Sequence, residues 1–197
     1  MAIGRASRKR LLGILAVGIA LCGGGSSMAC SAGGNLVGPG TFAGLNNLGA
    51  RDCISVSNGA VVNGSIVNSG VIGPPPPGAP AAISITDSTI NGSIQNHGTL
   101  NAGASGVGIG VTGASSINGV TNTGAIGASS LSGPASGINI GSNISGGVTN
   151  SGSISVNSGV GSAAGISIGS PPGAPSSSAT TTGGPSPSNN GSTKRHR

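Results

Sequence analysis

Apolar residues recur along this chain in short alternating pairs on a slow beat. Ile54/Val56, Ile83/Ile85, Ile109/Val111, Ile138/Ile140 and Ile166/Ile168 are each split by one small or polar residue, and successive pairs lie 29, 26, 29 and 28 residues apart. Alternation with a period of two marks a strand with one buried face. A second element keeps the same beat. Residues 66–72 read I-V-N-S-G-V-I, and the pattern returns at 94–100 (I-Q-N-H-G-T-L), 120–126 (V-T-N-T-G-A-I) and 148–154 (V-T-N-S-G-S-I). Its central asparagines, Asn68, Asn96, Asn122 and Asn150, are spaced 28, 26 and 28 residues apart. A third element lies between the other two: Val62-Asn63-Gly64, Ile90-Asn91-Gly92, Ile117-Asn118-Gly119 and Ile144-Ser145-Gly146.

Three short β-branched segments per unit, divided by Gly, Asn and Ser, predict one coil of a parallel β-solenoid. A lone coil cannot bury its apolar side, but stacked coils line up equivalent Ile and Val residues into a dry column. The predicted fold is all-β, a short parallel β-helix of about four to five coils over residues 54–169, roughly 20 Å long at the inter-strand spacing. Helix is disfavoured because Gly, Ser, Thr, Asn and Val are poor helix formers. The Asn-Gly steps are expected to turn the chain by adopting positive φ. Asn68, Asn96, Asn122 and Asn150 are expected to stack as a structural ladder rather than as a ligand-binding stripe. The segments of variable length, 73–82, 101–108, 127–137 and 155–165, predict loops at one corner, and the proline run at 74–77 predicts a stiff extended spur.

The flanks differ from the repeats. Residues 30–53, with Phe42, Leu45 and Leu48, predict a cap over the N-terminal edge. Pro171 and Pro172 follow the last strand and predict the end of pairing. The Ser/Thr/Pro/Gly mixture of residues 170–197 predicts a disordered tail.

Composition narrows the picture. Gly is 41 of 197 residues, Phe42 is the single aromatic, and 5% of residues are charged, so the core must be thin and aliphatic. The net charge of +6 resides at the two ends, in Arg5, Arg8, Lys9, Arg10 and in Lys194, Arg195, Arg197. Between Cys53 and Lys194 the one formal charge is Asp87, so the repeats offer no basic face for nucleic acid. The N-terminal cations instead precede an apolar run of eleven residues, 11–21 (LLGILAVGIAL), and then Ser27-Met28-Ala29. That order predicts a signal peptide over residues 1–29, with small residues at the cleavage site. Eleven residues are too few for a membrane span, which needs about 20, so no transmembrane segment is expected in the mature chain.

Export changes the reading of the cysteines. Cleavage after Ala29 leaves Cys30 and Cys53 in an oxidising compartment. A disulfide between Cys30 and Cys53 is one outcome. Lipidation of Cys30 is another, and the sequence leaves both open. The cysteines and the two histidines, His97 and His196, lack metal-ligand spacing, and neither metal nor cofactor is expected.

Catalytic chemistry finds no foothold. Glycoside cleavage usually needs two carboxylates, and the repeats hold only Asp87. His97 fills a slot where the other units carry Ser69, Thr123 and Ser151, as surface decoration does. Gly108-Ile109-Gly110-Val111-Thr112-Gly113 matches G-x-G-x-x-G but lies inside a repeat with no helix behind it. The chain is read as a non-enzyme.

The I-x-N-x-G-x-I units and the Gly-Ile-x-Ile strands, as at 137–140 and 165–168, resemble the repeats of Gram-negative autotransporter passengers over residues 54–169. The resemblance implies a right-handed parallel β-helix displayed at the cell outer membrane or released, often for adhesion. No translocator barrel follows the repeats, so the resemblance is to a passenger alone. The expectation is an exported surface or secreted structural/interaction protein in the periplasm, at the cell surface or outside the cell, with cell-surface or glycan ligands. The alternatives are a carbohydrate-binding or carbohydrate-processing β-helix, or a truncated passenger without selected activity.

Overall fold

The computed structural model describes Cys30, residues 35–169 and the backbone of residues 179–181. The expected signal peptide and the basic C-terminal tip lie outside the described residues. What is described is a parallel β-solenoid. The first pass holds β1 (Asn35–Val37), β2 (Thr41–Phe42), β3 (Leu45–Asn47) and β4 (Ala50–Arg51). The second holds β5 (Ile54–Ser57), β6 (Val61–Val62), β7 (Ile66–Asn68) and β8 (Val71–Ile72). The third holds β9 (Ile83–Thr86), β10 (Thr89–Asn96) and β11 (Thr99–Asn101), and the fourth β12 (Val107–Thr112), β13 (Ser116–Asn122) and β14 (Ala125–Ser130). The fifth holds β15 (Ala135–Ile140), β16 (Asn143–Ile144), β17 (Val148–Asn150) and β18 (Ser153–Ser158). The sixth begins with β19 (Ala163–Ile168) and β20 (Ala179–Thr181).

Three faces result, and all of their strand pairs are parallel. The first stacks six strands in the order β1-β5-β9-β12-β15-β19, the second is a nine-stranded sheet running from β2 to β20, and the third stacks β4, β8, β11, β14 and β18. The expected register holds through the repeats. Val56 pairs Ile85, Ile85 pairs Val111, Val111 pairs Ile140 and Ile140 pairs Ile168. Ile54, Ile83, Ile109 and Ile138 form the neighbouring row, all at 0% exposure. Together with Ile66, Ile94, Val120 and Val148 on the second face and Ile72, Leu100 and Ile126 on the third, they make one continuous core. Burial of each such side chain stabilises by roughly 1.5–3 kcal/mol, so the column replaces the aromatics the chain lacks.

Five readings of the sequence are corrected here. The segment 30–53, expected as a cap, contains a full coil: Leu36 pairs Val56, Leu45 pairs Ile66 and Arg51 pairs Ile72. Its short loops hide it from a search at a period of 26–29. Second, the unit I-x-N-x-G-x-I is not one segment. The chain bends at x-G, leaving Ile66–Asn68 on the second face and Val71–Ile72 on the third, while β10 and β13 run straight through the Asn-Gly step.

Third, the Asn-Gly glycines 64, 92 and 119 do not have positive φ. Gly64 is required because a Cβ there would strike the backbone carbonyl of Ala43. The expected positive φ does occur at one Asn-Gly step, Asn58-Gly59, and it occurs also at Asp87.

Fourth, the corner loops are shorter than expected, because β14 and β18 continue in register from Ala125↔Ser153 to Ser130↔Ser158. The proline run does not project freely either. Pro75 and Pro76 are half-buried, and Ala79 is buried in a small cluster with Cys30 and Cys53.

Fifth, pairing does not end at Pro171 and Pro172. β20 runs parallel to β17, with Val148 opposite Ala179 and Asn150 opposite Thr181, while the rest of the expected tail, 170–178 and 182–197, lies outside the described residues.

Candidate functional site

The most ordered polar feature is a column of amides inside the corner between the second and third faces. Asn47, Asn68, Asn96, Asn122 and Asn150 are 6% exposed or less. Each Nδ2 donates to the next Oδ1 at 2.7 Å, from Asn47 to Asn68, then Asn96, Asn122 and Asn150. The same nitrogens reach backbone carbonyls at the corner, as Asn96 does to Gly98 and Ala125, both at 3.3 Å. The backbone reinforces the bend. The carbonyl of Asn68 accepts from the N–H groups of His97 and Gly98 at 2.8 and 3.0 Å, and the carbonyl of Asn96 accepts likewise from Thr123 and Gly124. This tight turn brings each x-G glycine onto the glycine of the coil before it.

The column is directional, with its acceptor end in the first coil. There Arg51 Nε donates to Asn47 Oδ1 at 3.1 Å. Arg51 takes the register position that Ile72, Leu100 and Ile126 take in later coils. A cation therefore stands where the apolar row would otherwise end and satisfies the first amide oxygen. Arg51→Ala is expected to lower stability by about 1 kcal/mol, because the group is half-exposed and its bond is charge-assisted. A urea-denaturation midpoint unchanged from the parent would contradict that role.

The sequence reading named four of these asparagines. It missed Asn47, although residues 45–51 (L-N-N-L-G-A-R) carry the motif, because Asn47 precedes Asn68 by 21 residues. It also missed a row of buried serines at the corner between the first and second faces. Ser88, Ser115 and Ser142 donate through their hydroxyls to the carbonyls of Thr86, Thr112 and Gly113 at 2.9, 2.6 and 2.8 Å. Single serines in a Ser-rich chain give no signal. Among the described residues, no buried side-chain polar atom lacks a hydrogen-bond partner.

Cys30 and Cys53 are bonded, with their Cα atoms 5.2 Å apart. The bond ties Cys30 to the junction of the first and second coils. Cys53→Ser is expected to destabilise by about 3 kcal/mol for a crosslink of this span. Reducing the parent should produce the same shift in its denaturation midpoint, and a smaller shift would mean that the segment is held by other contacts.

The remaining chemistry-bearing groups stand apart. His97 is exposed; its Nδ1 lies 2.8 Å from Thr123 Oγ1 and its Nε2 lies 3.4 Å from Gln95 Oε1. Asp87 sits at the other corner of β10, where its carboxylate accepts from the Ala114 N–H at 2.8 Å. It therefore joins two coils. Among the described residues no three His, Cys, Asp or Glu side chains gather as a metal site, and no helix is long and apolar enough to cross a membrane. No family model matches the chain, and no curated protein or solved structure is significantly similar to it. The described residues form a parallel β-solenoid whose buried side-chain polar atoms all have hydrogen-bond partners.

Proposed function

We propose that this chain is an exported, non-enzymatic structural or interaction protein that works through the surface of a short rod outside the cytoplasm. The observation that carries the reading is the Cys30–Cys53 bond. Disulfides of this kind persist in oxidising compartments, and Cys30 directly follows Ser27-Met28-Ala29 and its apolar run. A thioether-linked lipid would use the same sulfur, so the bond favours a released or periplasmic chain over one anchored at Cys30. The outer surface supports the interaction role. It is nearly uncharged, and its second face presents Gln95, His97, Thr121 and Thr123, groups suited to hydrogen bonding with glycans or cell-surface proteins. Display in the manner of an autotransporter passenger belongs to this proposal.

Intact-mass analysis of the chain recovered from a Gram-negative host tests it. The expected product begins at Cys30, carries no acyl group and is two hydrogens lighter than the reduced form. An uncleaved cytoplasmic chain with free thiols, or an acylated Cys30, would overturn the reading. A glycan array probed with the recovered chain then separates a carbohydrate-binding role from a purely structural one.

A further inference from the structure

Four Asn-Gly steps fall among the described residues, at Asn58, Asn63, Asn91 and Asn118. Glycine has no Cβ to shield its backbone nitrogen, so such a step can close on itself, the glycine nitrogen attacking the asparagine Cγ. The attack needs the peptide between the two residues to rotate, and the fold restrains three of the four. The Gly59 N–H donates to the Asp87 carbonyl at 2.8 Å. The Asn91 carbonyl accepts from Asn118 Nδ2, and the Asn118 carbonyl accepts from the Gly146 N–H. Asn91-Gly92 and Asn118-Gly119 also lie inside the long strands β10 and β13. Asn63-Gly64 lies instead in the link between the short strands β6 and β7. Neither the Asn63 carbonyl nor the Gly64 N–H makes a backbone hydrogen bond among the described residues. The Asn63 side chain is exposed, and its Oδ1 accepts from Asn91 Nδ2 at 2.9 Å.

We propose that Asn63-Gly64 is a self-modification site, at which the folded chain slowly converts one surface amide into a carboxylate. The Gly64 nitrogen loses its proton to water and forms a bond to Asn63 Cγ. The Cγ–Nδ2 bond breaks, and Nδ2 takes up a proton and leaves as ammonia. Water then opens the five-membered imide at one of its two carbonyls, giving aspartate or its β-linked isomer at position 63. In the first step negative charge gathers on Oδ1, where the Asn91 amide already donates, so Asn91 acts as an oxyanion donor. The product matters because of where it stands. Between Cys53 and Lys194 the one formal charge is Asp87, at a corner, so the new carboxylate charges the otherwise neutral outer surface of the second face. The β-linked form also lengthens the backbone beside Gly64, where even a Cβ would strike the Ala43 carbonyl. It therefore loosens the second coil from the first.

Peptide mapping by mass spectrometry, on the full chain aged in mildly alkaline buffer, tests the assignment. Asn63 and Asn91 share one local sequence, Asn-Gly-Ser-Ile after a β-branched residue, so they should convert at equal rates when the chain is reduced and unfolded in urea. In the folded chain Asn63 is expected to convert on the order of tenfold faster than Asn58, Asn91 or Asn118, whose peptides are freed only by local opening. Asn91→Ala and Asn91→Asp each remove the donor to Oδ1 and should slow conversion at Asn63 by about fivefold, less than in an enclosed active site because this one is wet. Equal rates at Asn63 and Asn91 in the folded chain would overturn the proposal, as would faster conversion at any of the other three steps. A difference that persists in urea would also overturn it, by placing the cause outside the fold. Conversion at Asn63 that is unchanged or faster in both Asn91 variants would refute the part given to Asn91.

Discussion

Asn96→Asp is expected to abolish most of the stability of the solenoid near neutral pH. Asn96 accepts from Asn68 and donates to Asn122 and to the carbonyls of Gly98 and Ala125. A carboxylate keeps the first of these interactions and turns the other three into contacts between acceptors, at a position with 0% exposure. Asn96→Ala is the milder change. It strands the Asn122 Oδ1 and weakens the corner, a cost on the order of 4 kcal/mol when each orphaned buried group is worth about 1–3 kcal/mol. Domains of this size are stable by about 5–15 kcal/mol, so the aspartate variant should lie near or below the folding threshold.

The two variants are distinguished by pH. Burial raises the folded-state pKa of the introduced aspartate above its unfolded value of about 3.9. The folded state then binds more protons, so stability falls as pH rises from the unfolded pKa to the folded one. Acidification should rescue Asn96→Asp, whose protonated form can donate to Asn122, and should leave the difference between Asn96→Ala and the parent unchanged. Urea titrations at pH 4 and pH 7 measure both effects, and equal losses for Asp and Ala at pH 7 would show that the column tolerates charge.

Gly98→Ala carries the second large effect, and its control lies in the same row. A Cβ on Gly98 would occupy the space of the Gly70 carbonyl oxygen, and the obstacle is backbone on both sides, with no side chain free to move. Relief requires separating two coils, which loosens the Thr99-to-Gly70 bond of 2.9 Å and the amide pair beside it. The expected cost is about 3 kcal/mol or more, in the range of overpacking plus lost hydrogen bonds. Gly49 opens the row, and a Cβ there meets nothing within 4 Å. Gly49→Ala should therefore be neutral or stabilising by up to about 1 kcal/mol, since alanine restricts the unfolded chain. Thermal unfolding of the two variants settles the matter. Similar shifts in both would mean that the glycines serve turn conformation, not coil-to-coil approach.

The motif I-x-N-x-G-x-I can now be assigned position by position. The aliphatic residues fill the column, the asparagine joins the amide chain, and the glycine lets adjacent coils touch. The row is legible in the sequence because stacking repeats the same environment in every coil and so selects the same residue each time. Asn47 and Arg51 escaped the reading because the first coil is shorter and ends in a cation, breaking both the period and the apolar pattern.

Local composition dictated the strands: β-branched residues at a spacing of two, in a chain too rich in Gly, Ser and Asn for helix, leave stacking as the one way to bury aliphatic surface. Periodicity dictated the register, since a slip by one residue would turn Ile85, Val111 and Ile140 outward. Three-dimensional contacts decided everything that depends on which backbone lies against which. They set where each unit bends, placed Arg51 on the Asn47 oxygen, folded the proline loop onto the Cys30–Cys53 bond and brought β20 back to β17 after a gap of ten residues. Such contacts join residues distant in sequence through single carbonyls and sulfurs, and a one-dimensional pattern carries no distance between them.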